Sequence, residues 1–256
     1  MSAIVKTEFR KMTRSPMFLI TVMGMMFMPM MLGLLMFIKK YPALAKSTIL
    51  LSKASMIPGN ADWLTYFGFF SQMLCGAGLM VFGFCASWLF GREYSDKTIK
   101  DLLALPLPRG AIVWGKFIVL FCWCGLLFVI ASAVAIGVGM GLQLPRWTYR
   151  IGCHSLLIMF IATLMNVGLN TVTSFTACWT RGYLAPIGFI VVALMLGNFT
   201  GMLGFAAYYP WAIPMTYATK GIEGAFVGIP SVAIIIATTC AGLLGTLLWW
   251  RFADQH

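Results

Sequence analysis

Six long runs of apolar residues constrain this chain more than any other feature of its sequence. They occupy 17–38, 66–90, 112–142, 151–179, 184–203 and 232–250. A helix needs about 20 apolar residues to cross the hydrocarbon core of a bilayer, and each run reaches roughly that length. Hydrophobic residues make up 61% of the chain and charged residues 10%, which leaves more apolar surface than a water-soluble fold can bury. The sequence therefore predicts an all-α membrane protein with six transmembrane helices, in a single domain over 1–256.

Two further segments are too polar or too broken to span a membrane. At the amino terminus, Ile4, Val5 and Phe9 fall on one side of a helix, and Lys6 and Arg10 lie on the rest of its surface. This pattern is typical of an amphipathic helix in the headgroup layer. Residues 208–223, before the sixth run, are rich in Tyr, Trp and Pro, which predicts an interfacial or re-entrant segment.

The distribution of Lys and Arg predicts which way the helices cross. If the amino terminus is cytoplasmic, 11 of the 18 basic residues lie on the cytoplasmic side. Basic residues are enriched in cytoplasmic loops, so this count favours two cytoplasmic termini. Four lysines in the first external loop reduce the bias. The net charge of +11 then matches anionic lipid headgroups, and we do not predict nucleic-acid binding.

The connection between the second and third runs carries the clearest functional pattern. It reads GREYSDKTIKDLLALPLPR over 91–109. Ser95 or Asp96 can cap a short helix, and Pro106 can end it. Ile99, Leu102 and Leu103 form its apolar face. Such a helix, tethered to two spans, suits docking into a groove of a soluble partner, because a movement of the partner then tilts both spans. The alternative is a surface helix whose charges only fix topology.

This connection resembles the corresponding loop of permeases of type-2 ATP-binding-cassette exporters. In that family the loop has a Glu, often Gly-Thr, then Leu-Leu, Pro and Arg, followed by a Lys in the next helix. The matching positions here are Glu93, Thr98, Leu102, Leu103, Pro106, Arg109 and Lys116. Lys97 stands where many relatives have Gly. An interfacial first helix, six spans and a broken segment before the last span extend the resemblance over nearly the whole chain.

The resemblance implies a half-transporter in the cytoplasmic membrane of a bacterium. It implies a second permease subunit, in a homodimer or heterodimer, and two cytosolic ATPase subunits that bind ATP and Mg. The ATPase-coupling residues would be Glu93, Ser95, Asp96, Thr98, Ile99, Leu102, Leu103, Pro106 and Arg109. The substrate would be an amphipathic peptide antibiotic such as a lantibiotic or bacitracin, a drug or a lipid-like compound. The chain itself would have no catalytic residues, metal or cofactor.

Polar residues inside the spans are the second candidate site. Thr163, Asn166, Asn170 and Ser174 recur every three or four residues and form one stripe along the fourth span. The stripe, with Gln72 and Asn198, could line a substrate path. Hydrogen bonding between helices explains it equally well, because Asn, Ser and Thr commonly have that role in membranes.

The sequence also favours some function classes over others. No Asp or Glu lies in the middle of a predicted span, and ion-coupled carriers usually need a buried ionisable group. No phosphate-binding loop, catalytic triad or metal-ligand pattern is evident. The seven Cys are odd in number and lie mostly in apolar runs, so we interpret them as small buried hydrophobes. An ion-driven carrier and a non-transporting membrane scaffold remain the alternatives to an ATP-driven exporter.

Overall fold

The computed structural model describes residues 2–42, 48–99, 108–222 and 228–252. In these ranges the chain forms nine helices. They are α1 (Ser2–Thr13), α2 (Pro16–Lys40), α3 (Thr48–Ser55), α4 (Trp63–Ser95), α5 (Arg109–Gly141), α6 (Tyr149–Trp179), α7 (Leu184–Met202), α8 (Ile213–Ile222) and α9 (Ile229–Phe252). The prediction of an all-helical fold is confirmed.

Six of these helices are long and apolar enough to cross a membrane: α2, α4, α5, α6, α7 and α9. They coincide with the six predicted runs. Local signals set their starts. Ser15 precedes α2 and accepts a hydrogen bond from the Met17 backbone N–H at 3.2 Å, and Pro16 occupies the first helical position. Asp62 caps α4 by accepting from the Thr65 N–H at 3.0 Å.

The bundle is built around α6, which packs against α4, α7, α8 and α9. A second layer pairs α2 with α5, and α1 lies against the first turns of α5. Glycines permit the closest approach in the bundle. A Cβ on Gly242 of α9 would lie 2.5 Å from the Val172 backbone nitrogen of α6, so only glycine fits there. The α6–α9 contact is therefore backbone against backbone.

The outer helices expose large apolar side chains. Only 17% of the most apolar window of α7 is buried, and 22% of that of α9. Leu196 and Phe199 on α7 are among the exposed residues. A soluble protein rarely exposes so large an apolar surface, whereas lipid tails solvate it readily. The chain is therefore a multi-pass membrane protein.

The helices alternate in direction, which defines two ends of the bundle. We call the end that holds α1 and the α4–α5 connection the α1 side, and the other end the opposite side. Lysines on the opposite side are partly used to satisfy helix ends. Lys40 donates to the Leu142 carbonyl at 2.7 Å, at the end of α5, and Lys39 donates to the Ile57 carbonyl.

The predicted interfacial segment at the amino terminus is helical, and the predicted interfacial or re-entrant segment before the last span is helical from Ile213 to Ile222. In α1, Phe9 packs edge-to-face on Trp123, with ring centroids 6.2 Å apart. Trp123 lies in the middle of α5, whereas the other tryptophans lie near span ends or outside the spans. The contact with Phe9 shows that α1 covers its ring. Residues 205–212 form a series of turns, and α8 then packs against α4 and α6.

Candidate coupling site and polar interior

The functional connection begins where α4 ends. Asp96 follows its last residue, Ser95, and two backbone hydrogen bonds close the helix: Thr98 N–H to Glu93 O at 3.0 Å, and Lys97 N–H to Tyr94 O at 3.2 Å. This is the Schellman arrangement, in which the residue after the cap adopts a left-handed conformation. Lys97 has φ 58°. Its position is the one where many permeases carry Gly, and the backbone conformation gives the physical reason.

The end of α4 corrects one sequence interpretation. Ser95 and Asp96 terminate α4, so neither is the N-cap of the following helix. Ile99, the last described residue before 108, is buried. The prediction of a cap at Ser95 or Asp96 was wrong because α4 continues beyond the apolar run and Asp96 is its C-cap. Leu102, Leu103 and Pro106 lie outside the described residues.

A buried ion cluster joins both flanks of the connection to α1. Lys116 of α5 lies 3.0 Å from a carboxylate oxygen of Glu93 and 3.1 Å from one of Glu8. Lys11 bridges the same two carboxylates, at 2.9 Å from Glu8 and 3.3 Å from Glu93. Lys116 also donates to the Leu89 carbonyl at 3.0 Å, which satisfies its third N–H. The cluster therefore ties α1, α4 and α5 together at one point.

Burial makes this cluster structurally important. The side chain of Lys116 is 1% exposed, and those of Glu8 and Glu93 are 5% and 7% exposed. Burial raises the pKa of Glu8, but the positive charges of Lys116 and Lys11 outweigh it, so the pKa lies below its ordinary value. The cluster thus pairs the side chains of Glu8 and Glu93 with those of Lys11 and Lys116.

One carboxylate oxygen of the cluster is left over. The Oε2 atom of Glu93 is buried and has no hydrogen-bond partner among the described residues. The cluster borders a cavity of about 160 Å³, lined also by Arg92, Asp96 and Thr98. Such a polar cavity has room for ordered water, which can satisfy a buried carboxylate oxygen.

Sequence reasoning found Glu93 and Lys116 but missed Glu8. The signal was present: Glu8 is four residues after Ile4 and four before Met12, so it lies on the apolar face of an otherwise basic helix. A lone carboxylate on that face indicates a buried cation opposite it. Only the fold shows that this cation is Lys116, which is 108 residues away in the sequence.

Arg109 connects the start of α5 to the end of α9. Its guanidinium donates to the Trp250 carbonyl at 3.4 Å, and the Trp250 indole N–H points to the Cys178 sulfur at 3.2 Å. Gly91, at the start of the motif, lies against the α6–α7 turn: a Cβ there would meet the Gly182 carbonyl oxygen at 2.6 Å. The α1-side ends of α4, α5, α6 and α9 are thereby linked.

The polar stripe of α6 is buried inside the protomer. Thr163, Asn166, Asn170 and Ser174 are each at most 4% exposed. Three hydrogen bonds use them within α6: Asn170 donates to Asn166 O at 2.9 Å, Ser174 donates to Asn170 O at 3.0 Å, and Thr173 donates to Asn170 Oδ1 at 3.1 Å. Thr163 Oγ1 and Asn166 Oδ1 have no hydrogen-bond partner in the part of the chain that the structure describes.

One contact of the stripe crosses to another helix at an irregular place. Residues Leu74–Gly78 of α4 form a π turn, and Asn166 donates its side-chain amide to the Leu74 carbonyl at 3.1 Å. A π turn inserts an extra residue in a helix and displaces backbone carbonyls from their usual partners. Asn166 supplies the missing donor. Next to it, the Cys75 thiol points to the Pro214 carbonyl at 3.3 Å, which connects the π turn to α8.

The two other candidate path residues lie elsewhere. Gln72 is half-buried on α4. Asn198 is exposed on α7, bonds to the Leu194 carbonyl of its own helix at 2.9 Å, and lines a cavity of about 410 Å³ between α4, α7 and the turns before α8. The structure does not bring Asn198 into the α6 stripe, and a role in a substrate path stays a prediction for all six residues.

The described residues include no group of three or more His, Cys, Asp or Glu side chains that could hold a metal ion.

Comparison with known proteins identifies the family. The family model described as ABC-2 family transporter protein matches residues 4–197, which include most of α1, the ion cluster, the first four spans and most of the fifth. The chain belongs to the ABC-2 transporter family. A bacitracin transport permease protein of Bacillus licheniformis is 24% identical over 179 residues, which cover 70% of this chain and 86% of that protein. ABC-2 permeases are the membrane subunits of transporters whose ATPase is a separate part, so this ABC-2 chain acts with ATPase and permease partners.

Proposed function

We propose that this ABC-2 permease exports its substrate by converting movements of cytosolic ATPase subunits into tilts of α4 and α5. The connection over 96–108 would be the contact with the ATPase, with Glu93, Thr98, Ile99 and Arg109 holding it in place. The observation that carries the proposal is the buried ion cluster. It binds both flanks of the connection to α1. A displacement of the connection by the ATPase should therefore move α4 and α5 rather than deform the connection alone.

The mechanical argument rests on burial. Lys116, Glu8 and Glu93 are almost fully removed from solvent, and separating them would leave uncompensated charges in a low-dielectric environment. Because that separation has a high free-energy cost, α1, α4 and α5 should move as one rigid body. Arg109 and Gly91 then pass the movement to the ends of α9 and α6 through the contacts described above.

The proposed assembly has two ATPase subunits, which bind ATP and Mg, and a second permease subunit. We propose that it lies in the bacterial plasma membrane with both termini in the cytoplasm. The excess of Lys and Arg on the α1 side supports this orientation, since basic residues concentrate in cytoplasmic loops. The orientation is also the one in which a cytosolic ATPase can reach the connection.

For the substrate we propose an amphipathic peptide antibiotic, with a drug or lipid-like compound as the wider class. The similarity to a bacitracin transport permease supports this. The membrane-facing surfaces of α7 and α9, which carry few fixed charges, are compatible with a substrate that partitions into the bilayer.

The coupling proposal can be tested at the predicted apolar face of the connection. Leu102→Asp with Leu103→Asp should abolish co-purification of the ATPase and transport, because charges would replace the apolar contact. The matched control is Met56→Asp, which changes an exposed apolar residue on the opposite side and should leave both unchanged. Unchanged ATPase association in the double variant would refute the proposed contact.

The substrate proposal has a separate test. Expression of the chain with its ATPase in a bacitracin-sensitive bacterium should raise the inhibitory concentration of bacitracin, and an ATPase variant that cannot hydrolyse ATP should abolish the gain. Resistance that survives this ATPase variant but disappears when the proton gradient is collapsed would indicate an ion-driven carrier instead. If the chain confers resistance to other peptide antibiotics but not to bacitracin, the substrate is a different member of the proposed class.

A further inference from the structure

A cleft on the α1 side, which borders the ion cluster through Lys11 and lies apart from the α6 stripe, has the features of a lipid headgroup site. It has a volume of about 580 Å³ and lies between α2 and Tyr183 at the start of α7, with α4 as its back wall. The residues that define it are Arg14, Met17, Ile20, Phe84, Trp88 and Arg92. We call it the α2–α7 cleft.

The cleft is polar at its mouth and apolar below. Arg14 is exposed in the break between α1 and α2, and Arg92 is one turn after Trp88 on α4. Deeper along the same helices, Met17, Ile20 and Phe84 form an apolar wall, and the side chain of Ile20 is 53% exposed. Trp88 and Tyr183 lie near the α1-side ends of α4 and α7, and aromatic residues at span ends are typical of the membrane interface. A ligand with an anionic head and an acyl chain matches this gradient.

The charges around the mouth leave one cation available. Lys11 is held by Glu8 and Glu93, and Arg92 pairs with Asp96 at 3.0 Å while stacking on Trp88 at 4.9 Å. Of the three cations that line the cleft, Lys11, Arg14 and Arg92, the first and the last therefore already have carboxylate partners. Arg14 has no ion-pair partner among the described residues. A guanidinium can bind two phosphate oxygens at once, so a phosphate ester is a suitable ligand for Arg14.

We propose that the α2–α7 cleft binds the phosphate headgroup of an anionic phospholipid, with Arg14 as the main phosphate ligand and the Met17–Phe84 wall against the acyl chain. The site requires only that the chain lies in a membrane, and it does not depend on the proposed export activity. A free phosphate in water could supply the same headgroup chemistry. The exposed apolar wall, which water would not cover favourably, argues for the lipid.

The test measures lipid binding to the full-length chain by native mass spectrometry. The protein is titrated with dioleoylphosphatidylglycerol, which is anionic, and with dioleoylphosphatidylcholine, which is zwitterionic. The first phosphatidylglycerol should bind with a dissociation constant about fivefold lower than that of the first phosphatidylcholine. This is the effect of one basic residue near an anionic lipid surface. Arg14→Gln should remove this preference. Arg10→Gln is the matched control, because Arg10 is an exposed arginine of the same segment outside the cleft, and the preference should remain.

Several outcomes would overturn the proposal. An equal loss of preference in both variants would indicate a general surface potential rather than a site. Glycerol 3-phosphate or inorganic phosphate binding as tightly as the lipid would place the ligand in the aqueous phase. If Arg14→Gln leaves lipid binding unchanged and instead shifts the fraction of dimers, a second copy of the chain covers the cleft.

Discussion

The most direct test of the ion cluster is Lys116→Met, which keeps an unbranched side chain, shorter by the terminal ammonium group, and removes its charge. Lys116 has two carboxylate partners, at 3.0 and 3.1 Å, and one carbonyl partner, at 3.0 Å, and is 1% exposed. Without it, Glu8 and Glu93 share only the half-exposed Lys11, so one buried negative charge is uncompensated. Removal of one partner from a buried ion pair typically costs about 3–5 kcal/mol.

That loss should be visible as thermal instability. For a chain of this size each kcal/mol corresponds to roughly 2–4 °C in Tm, so Lys116→Met should lower Tm by about 10 °C. The assay heats the detergent-solubilised protein and measures the monodisperse fraction by size-exclusion chromatography. Lys6→Met is the matched control, because Lys6 is exposed on α1, and its effect should stay within about 0.5 kcal/mol.

A compensated variant separates charge from packing. Adding Glu8→Gln and Glu93→Gln to Lys116→Met removes the uncompensated charges at nearly constant volume, and should restore most of the lost Tm. The reasoning is refuted if Lys116→Met melts no lower than Lys6→Met. It is also refuted if the triple variant is no more stable than Lys116→Met alone, since the destabilisation would then come from packing.

Three further predictions follow from single contacts. The pKa of Glu8 lies below its ordinary value of 4.5, so the ionised carboxylate contributes its full stabilisation of the fold above about pH 4.5. The Tm advantage of the wild type over Glu8→Gln should therefore shrink as the pH falls from about 6 to about 3. A constant difference would contradict this. Asn166→Leu should lower the free energy of unfolding by about 1 kcal/mol because it removes the donor to the π turn, whereas Asn198→Leu, on the exposed face of α7, should leave it unchanged. Equal Tm values for the two variants would exclude a helix-packing role for Asn166. Loss of transport by Asn166→Leu at normal Tm would favour a substrate path. Lys97→Gly should raise the free energy of unfolding by about 1 kcal/mol relative to Lys97→Ala, because only glycine adopts φ 58° without strain, and no gain over alanine would argue against the left-handed cap.

The spans and the position of the α4–α5 connection could be predicted because they depend on properties of neighbouring residues. A run such as 112–142 must cross the membrane or be fully buried, whatever the rest of the chain does. Ser15 and Pro16 likewise announce the start of α2 locally, and the structure has that cap. The end of α4 could not be placed in this way. The apolar run stops near Phe90, but the helix continues to Ser95, and Glu93 in this last turn is bound by Lys116 of α5, which is distant in sequence.

The polar stripe illustrates the same division. Its spacing of three to four residues predicts one face of a helix, and all four members are indeed buried on α6. The partner of Asn166 is a carbonyl released by a π turn in α4, and a π turn of five residues leaves no mark in an apolar sequence. Asn198 has the same residue type and opposite surroundings, which composition alone cannot distinguish.

The amino-acid sequence by itself determined that this chain is a six-helix membrane protein and where its polar connections lie, because hydrophobicity and charge act residue by residue against the bilayer. Only the tertiary structure decided that Glu8, Glu93 and Lys116 meet, that Lys97 takes the conformation of a glycine, and that an unpaired Arg14 lies above an apolar cleft. Electrostatic pairing falls off within a few ångströms, so it depends on which distant residues the packing of the helices brings together.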